Sequence, residues 1–135
     1  MSKVTEFAMH ADFLASLRVL AQKGGPGKRA SDTAFKAWER AQKLNATFDD
    51  VFKGIPLTNH GENRISNCRK FDLSGFARLV TAYSNNVCVF LYIGDHATVD
   101  TWLDKNRGMD IIARSDGKKI RLAPVFVSDP NNEQV

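Results

Sequence analysis

Cysteine and proline are scarce in this chain: 135 residues include two cysteines and four prolines. Two thiols cannot supply a disulfide framework, so the fold must rest on a hydrophobic core, which a chain of this size can bury unaided. Cys68 and Cys88 therefore read as ordinary reduced thiols. Long apolar runs are also missing. The longest, Val87 to Ile93, falls far short of the ~20 residues a membrane helix needs. The start, Met1-Ser2-Lys3-Val4-Thr5, has no apolar signal core, so no secretory address is expected and a cytoplasmic protein is. Apolar content of 43% and charged content of 25% lie near globular averages, which argues against disorder, collagen and coiled coil. The length predicts one domain.

Charge of both signs is present. Lys plus Arg is 19 and Asp plus Glu 15, a net +4. The pI near 9.2 hints at a polyanionic partner, although +4 is also a normal solubility charge. Residues 1–60 carry nine basic and six acidic groups, whereas residues 61–106 balance at five each.

Periodicity orders the elements. Lys3 to Met9 alternates and predicts a first strand. Asp12 stands as an N-cap before Phe13, Leu14, Leu17, Leu20 and Ala21, which recur at helical spacing to about Lys23. Gly24-Gly25-Pro26-Gly27 reads as the stop. Ser31 or Asp32 then caps a second helix with Ala34, Ala37, Trp38, Ala41 and Leu44 on its apolar face. After a weak segment from Phe48 to Leu57, three strands follow: Arg64 to Leu73, Phe76 to Tyr83 and Val87 to Ile93. Ser74-Gly75 and Asn85-Asn86 are the turns between them. Val87 to Ile93 is apolar on both faces, which suggests a central strand. Thr98, Val99, Trp102 and Leu103 fit a third helix closed by Gly108 as its C′ residue. Ser115-Asp116-Gly117-Lys118 sits between Ile111-Ile112-Ala113 and Ile120-Arg121-Leu122, a strong hairpin signal. The expected class is α+β: an N-terminal strand and helical hairpin on a mostly antiparallel sheet, with a short third helix and a C-terminal β-hairpin.

Several motifs fail on spacing. Gly24-Gly25-Pro26-Gly27-Lys28 follows a helix, has Gln22 where a phosphate loop has its first Gly, and has Arg29 where it has Ser or Thr. His10, His60 and His96 are scattered and the cysteines form no C-x-x-C, so no metal site is expected. No Gly-x-Ser-x-Gly elbow exists. The informative stretch is Arg64 to His96. Three strands bring Arg64, Arg69, Lys70 and Arg78 together, with His60 and His96 at the ends. Alternation puts Arg78 on the face of Phe76 and Val80, an odd place for a charge in the middle of a meander. Such an Arg wants an anion, either a structural carboxylate such as Asp72 or Asp100 or a bound phosphate. Metal-free RNA cleavage suits a cluster of this kind. Arg or Lys stabilises charge on the phosphate, and a His with a pKa near ~6.5 moves protons. His96 fits that role, or it simply caps the third helix.

Lys70 to Val80, with its Gly75 and Arg78, followed by Val87 to His96, with its Gly94-Asp95-His96 ending, resembles the core of the RelE/ParE toxin superfamily. That family's pattern is a basic strand, a turn with Gly, an aromatic, an Arg, an apolar strand ending in Gly and a basic residue, and a short helix. The likeness covers about Lys3 to Arg107. It implies one RelE/ParE-like domain over residues 1–127, with its core at 3–107 and an extra hairpin at 109–127; the polar stretch 128–135 reads on composition as a disordered tail. It also implies a bacterial toxin neutralised by a cognate antitoxin. RelE-like members cleave mRNA on the ribosome; ParE-like members poison DNA gyrase. The resemblance places Arg78 on the sheet arginine of the RNases and Lys70 on a strand lysine. His96 stands where RelE has an arginine, and Trp102 near its tyrosine. The resulting expectation is a metal-independent, cofactor-free, ribosome-dependent mRNA endoribonuclease. Its catalytic residues would be His96, Arg78 and Lys70, with Arg64, Arg69 and Trp102 binding RNA. The alternatives are a non-enzymatic inhibitor of a protein such as gyrase, or a non-toxic regulatory module; no membrane partner is expected.

Overall fold

A computed structural model describes residue 4 and residues 6–58, 61–84, 86–108, 111–116 and 119–124. Lys3, His60, Asn85, Met109, Gly117-Lys118 and the 128–135 tail of the sequence reading lie outside the described residues. The chain forms β1 (Glu6–Met9), α1 (Ala11–Gln22), α2 (Gly25–Ala41), the single turn α3 (Phe48–Val51), β2 (Cys68–Leu73), β3 (Ala77–Ser84), β4 (Val87–Asp95), α4 (His96–Lys105), β5 (Ile111–Asp116) and β6 (Lys119–Pro124). The class is α+β. The main sheet is mixed, with the order β1-β4-β3-β2. β1 runs parallel to β4, and the β4–β3 and β3–β2 pairs are antiparallel. β5 and β6 form a separate two-stranded hairpin, and β5 lies against β3.

Both sheet faces are covered. On one face Phe71, Leu73, Leu79, Cys88, Phe90 and Ile93 meet Phe13, Leu17 and Leu20 of α1, Ala30, Ala34 and Ala37 of α2, and Val51 and Phe52. On the other, Val80, Ala82, Val89 and Leu91 meet Val99, Trp102 and Leu103 of α4. β4 is thus buried on both sides, as its unbroken apolar run predicts. Opposite the Val80–Thr81 step β4 carries one extra residue, Leu91: Val80 faces Tyr92 and Thr81 faces Phe90. The β2–β3 turn has positive φ at both Ser74 and Gly75 (60° and 72°), which gives a hairpin turn matched to the sheet twist. The outer edge of β2 is sealed by loop backbone: Thr58 N–H donates to the Lys70 carbonyl and Asp72 N–H to the Pro56 carbonyl.

The boundaries of four elements are corrected. His10, not Asp12, caps α1: its Nδ1 accepts the Asp12 N–H at 3.0 Å. α2 starts at Gly25 rather than near Ser31, and Gly24 is its N-cap. Pro26 sits in the first helical turn, where a missing N–H costs nothing, so the Gly-Pro run opens a helix instead of separating two. Gly27 lies where α1 crosses, since a Cβ there would come 2.8 Å from the Leu20 carbonyl oxygen. Leu44 lies past the end of α2 and is 91% exposed, so it belongs to no apolar face. β2 begins at Cys68 rather than Arg64. Finally, α4 starts at His96 with Asp95 as its cap and ends at Lys105. Gly108 lies beyond its C-cap, in the left-handed region at φ 85°, and donates its N–H to the Arg64 carbonyl at 2.8 Å.

Candidate functional site

Strand alternation sorts the basic residues before any chemistry does. β2 pairs Cys68, Lys70 and Asp72 with Ala82, Val80 and Arg78 of β3, and these point to the α4 side of the sheet. Arg69 lies between them in sequence and points to the opposite side. There its guanidinium lies 5.1 Å from the Tyr83 ring centroid and 5.9 Å from that of Phe48. Arg69 therefore does not join the cluster the sequence reading placed it in.

Lys70 and Arg64 do meet, around a residue the sequence reading missed. Glu62 reaches in from the loop before β2, its side chain 3% exposed. Its Oε1 lies 3.1 Å from Lys70 Nζ and accepts from Arg64 Nη2 at 2.9 Å. Its Oε2 accepts from Arg64 Nε at 2.9 Å and from the Arg64 backbone N–H at 2.8 Å. Arg64 also donates to Asp100 Oδ1 and Asp104 Oδ1 on α4, both at 3.1 Å. The hydrogen bonds from Arg64, more than the Lys70 contact, hold the Glu62 carboxyl down at about 2. The same contacts, led by Glu62, push Arg64 further up. Lys70 is buried in this arrangement. The network clamps the loop, β2 and α4 together, and each cation in it already has its anion. No sequence signal singles out Glu62 before the fold brings these groups around it.

Trp102 is inside as well. It is buried, stacks on Tyr92 with ring centroids 5.1 Å apart, and donates its Nε1–H to Asp12 Oδ2 at 3.0 Å. Both thiols are buried, and burial pushes Cys68 and Cys88 up to about 12.

Arg78 and His96 are arranged differently. Arg78 is half-buried on β3, opposite Asp72 on one side and Gly94 on the other. Its Nε and the Asp72 Oδ1 are both buried without a hydrogen-bond partner among the described residues. Gly94 is bare for a reason: a Cβ there would come 2.3 Å from Thr98 Oγ1, so the first turn of α4 lies directly on it. The Asp95 carboxylate caps that turn, accepting the Thr98 N–H at 2.8 Å, which pulls its pKa down. His96 follows as the first residue of α4 and is exposed. Capping falls to Asp95, so the imidazole is not consumed by it. The β3–β4 ladder therefore places a half-buried guanidinium opposite Gly94, two residues before an exposed imidazole. A guanidinium binds phosphate or carboxylate, and an imidazole transfers protons near neutral pH.

A separate groove of about 260 Å³ runs between α1 and the β4–α4 junction, lined by Ser16, Val19, Lys23, Tyr92, Asp95 and Thr98 among others. Among the described residues no group of three or more His, Cys, Asp or Glu side chains is arranged to hold a metal. No described helix is long and apolar enough to cross a membrane. No family model, curated protein or solved structure matches the chain.

Proposed function

We propose that the chain is a RelE/ParE-like toxin that cleaves mRNA on the ribosome without a metal or cofactor, acts in the cytoplasm and is neutralised by a cognate antitoxin. The carrying observation is the Arg78 guanidinium, whose buried Nε has no hydrogen-bond partner among the described residues, at the end of the sheet where His96 emerges. In this reading the RNA 2′-hydroxyl attacks the adjacent phosphorus and the bond to the 5′-oxygen breaks, leaving a 2′,3′-cyclic phosphate and a 5′-hydroxyl. Arg78 neutralises the charge that builds on the phosphoryl oxygens. His96 takes the 2′-hydroxyl proton or delivers one to the leaving oxygen, and water serves the other transfer. Lys70 and Arg64 act one step back, through Glu62, by fixing α4 and with it His96. Trp102 anchors the same helix from beneath.

The second reading is a protein-binding inhibitor of the ParE kind. What favours it is that Lys70, Arg64 and Trp102 are all engaged internally. Adding the purified chain to a translating ribosome extract separates the two. The RNase reading expects new mRNA 5′ ends, and a loss on the order of 10²–10⁴-fold in His96→Ala. Growth arrest that persists in His96→Ala with mRNA intact would refute it in favour of the inhibitor.

A further inference from the structure

Asp72 and Arg78 stand directly opposite each other on neighbouring strands and on the same face. Opposite charges so placed normally join. Here they do not: no ion pair links them, and each keeps a buried polar atom without a partner among the described residues. The contrast lies on the same strand two residues away, where Lys70 is closed onto Glu62 at 3.1 Å. Asp72, like Arg78, is half-buried. A negative charge is thus held beside the guanidinium without saturating it.

We propose that Asp72 sets the charge selectivity of the Arg78 site, favouring the singly charged phosphodiester inside an RNA strand over the doubly charged phosphate at a strand end; this rests on reading Arg78 as the phosphate anchor. The physics is a difference of repulsions. An internal diester carries one negative charge. A terminal monoester carries nearly two above pH 7, because its second pKa is about 6. Directly opposed side chains have Cβ atoms about 5 Å apart, so a phosphate on the Arg78 head lies roughly 7 Å from the carboxylate. At that distance, with an effective dielectric of about 40–80, one unit of repulsion weakens binding about three- to seven-fold. The penalty on a dianion is the square of that, about 10- to 50-fold. A site so built favours internal diesters over strand ends that carry a phosphomonoester; the 2′,3′-cyclic product, itself a singly charged diester, is not discriminated against in this way.

The test uses the full chain labelled with ¹⁵N, observing the Arg78 Nε–H while a dinucleoside monophosphate or a nucleoside 3′-monophosphate is added at pH 8. Asp72→Asn should tighten the diester about three- to seven-fold and the monoester about 10- to 50-fold, so that the preference for the diester collapses. Asp72→Ser, which also removes the charge, should do the same. Equal tightening of the two ligands, or none, overturns the inference while leaving Arg78 as anchor. If neither ligand moves the Arg78 resonance, and Arg78→Gln binds a short RNA as the wild type does, the anchor reading fails and this inference with it. Unfolding of both Asp72 variants, seen as loss of amide dispersion, would make Asp72 structural and also overturn the proposal.

Discussion

Replacing Glu62 by Gln should cost far more than replacing the lysine it holds. Glu62→Gln keeps the shape and removes the charge. Lys70, 7% exposed, is then left as a buried ammonium facing a neutral amide. Breaking a buried pair in this way costs about 3–5 kcal/mol, because the orphaned charge has lost both water and partner. The titration of Glu62 gives an independent figure. A carboxyl held at about 2 instead of its ordinary 4.5 contributes about 3 kcal/mol to stability. The sign follows from the direction: the contribution is complete above pH 4.5, declines as pH falls, and is gone below about 2. Lys70→Met is milder. It leaves an apolar side chain in an apolar place, and Glu62 keeps its hydrogen bonds from Arg64, so about 1–2 kcal/mol is expected. The double variant has neither the unpaired ammonium nor its carboxylate, and Arg64 still holds Asp100 and Asp104. It should therefore be more stable than Glu62→Gln alone.

Urea unfolding followed by far-ultraviolet circular dichroism reads this directly. With a slope of about 1–3 kcal/mol/M, Glu62→Gln should lower the midpoint by about 1–5 M, and the double variant should recover most of the loss. Between pH 4.5 and 2 the wild type should lose stability that Glu62→Gln does not. A Glu62→Gln midpoint within experimental error of the wild type, or strict additivity in the double variant, would refute the reasoning. Lys70 would then be available to a substrate after all.

Three further outcomes are expected. Gly94→Ala should cost about 1–3 kcal/mol, because its Cβ would land 2.3 Å from Thr98 Oγ1 and push the first turn of α4 off β4; adding Thr98→Ala should restore part of the melting temperature, and no recovery would mean the strain lies elsewhere. Cys68 and Cys88, with thiols pushed up to about 12 by burial, should react with an aromatic disulfide reagent at pH 8 only on unfolding; rapid labelling of the native chain would contradict their burial. Trp102→Phe should lose the bond to Asp12 and about 1 kcal/mol, leaving RNA affinity unchanged; an affinity loss at full stability would return Trp102 to the base-stacking role the family resemblance implied.

Much of the architecture is legible because local rules and tertiary demands agree. Val87 to Ile93 has no polar face, so it must be covered twice, and β4 is the strand with helices on both sides. Ser74-Gly75 suits a turn with two positive φ values, and it makes one. The failures come where one signal has two physical meanings. Gly-Pro breaks a helix in its interior but opens one at its first turn, and α2 uses the second property. The parallel pairing of β1 with β4 joins Glu6 to Val87 across most of the chain, and no local pattern encodes that register.

The site is less legible for a related reason: what a charge can do depends on what it faces, and facing is non-local. Arg69 and Lys70 are neighbours in sequence, yet the strand period of two sends them to opposite sides of the sheet. That divergence was readable, and it removes Arg69 from the cluster without any structure. Glu62 was not readable. A lone glutamate in a loop carries no signal until the fold brings Lys70, Arg64 and α4 around it. Once it is there, the question changes from which residues are basic to which cations lack an anion. Among the residues the sequence singled out, Lys70 and Arg64 are satisfied by Glu62, whereas Arg78 keeps an unpartnered Nε beside a carboxylate that does not close on it. An open pair between two closed elements has no structural gain to explain it, since satisfied pairing would stabilise the same strands better. An anion bound at the Arg78 Nε is the simplest physical account of its open donor, and the charge of that ligand is what the Asp72 variants measure.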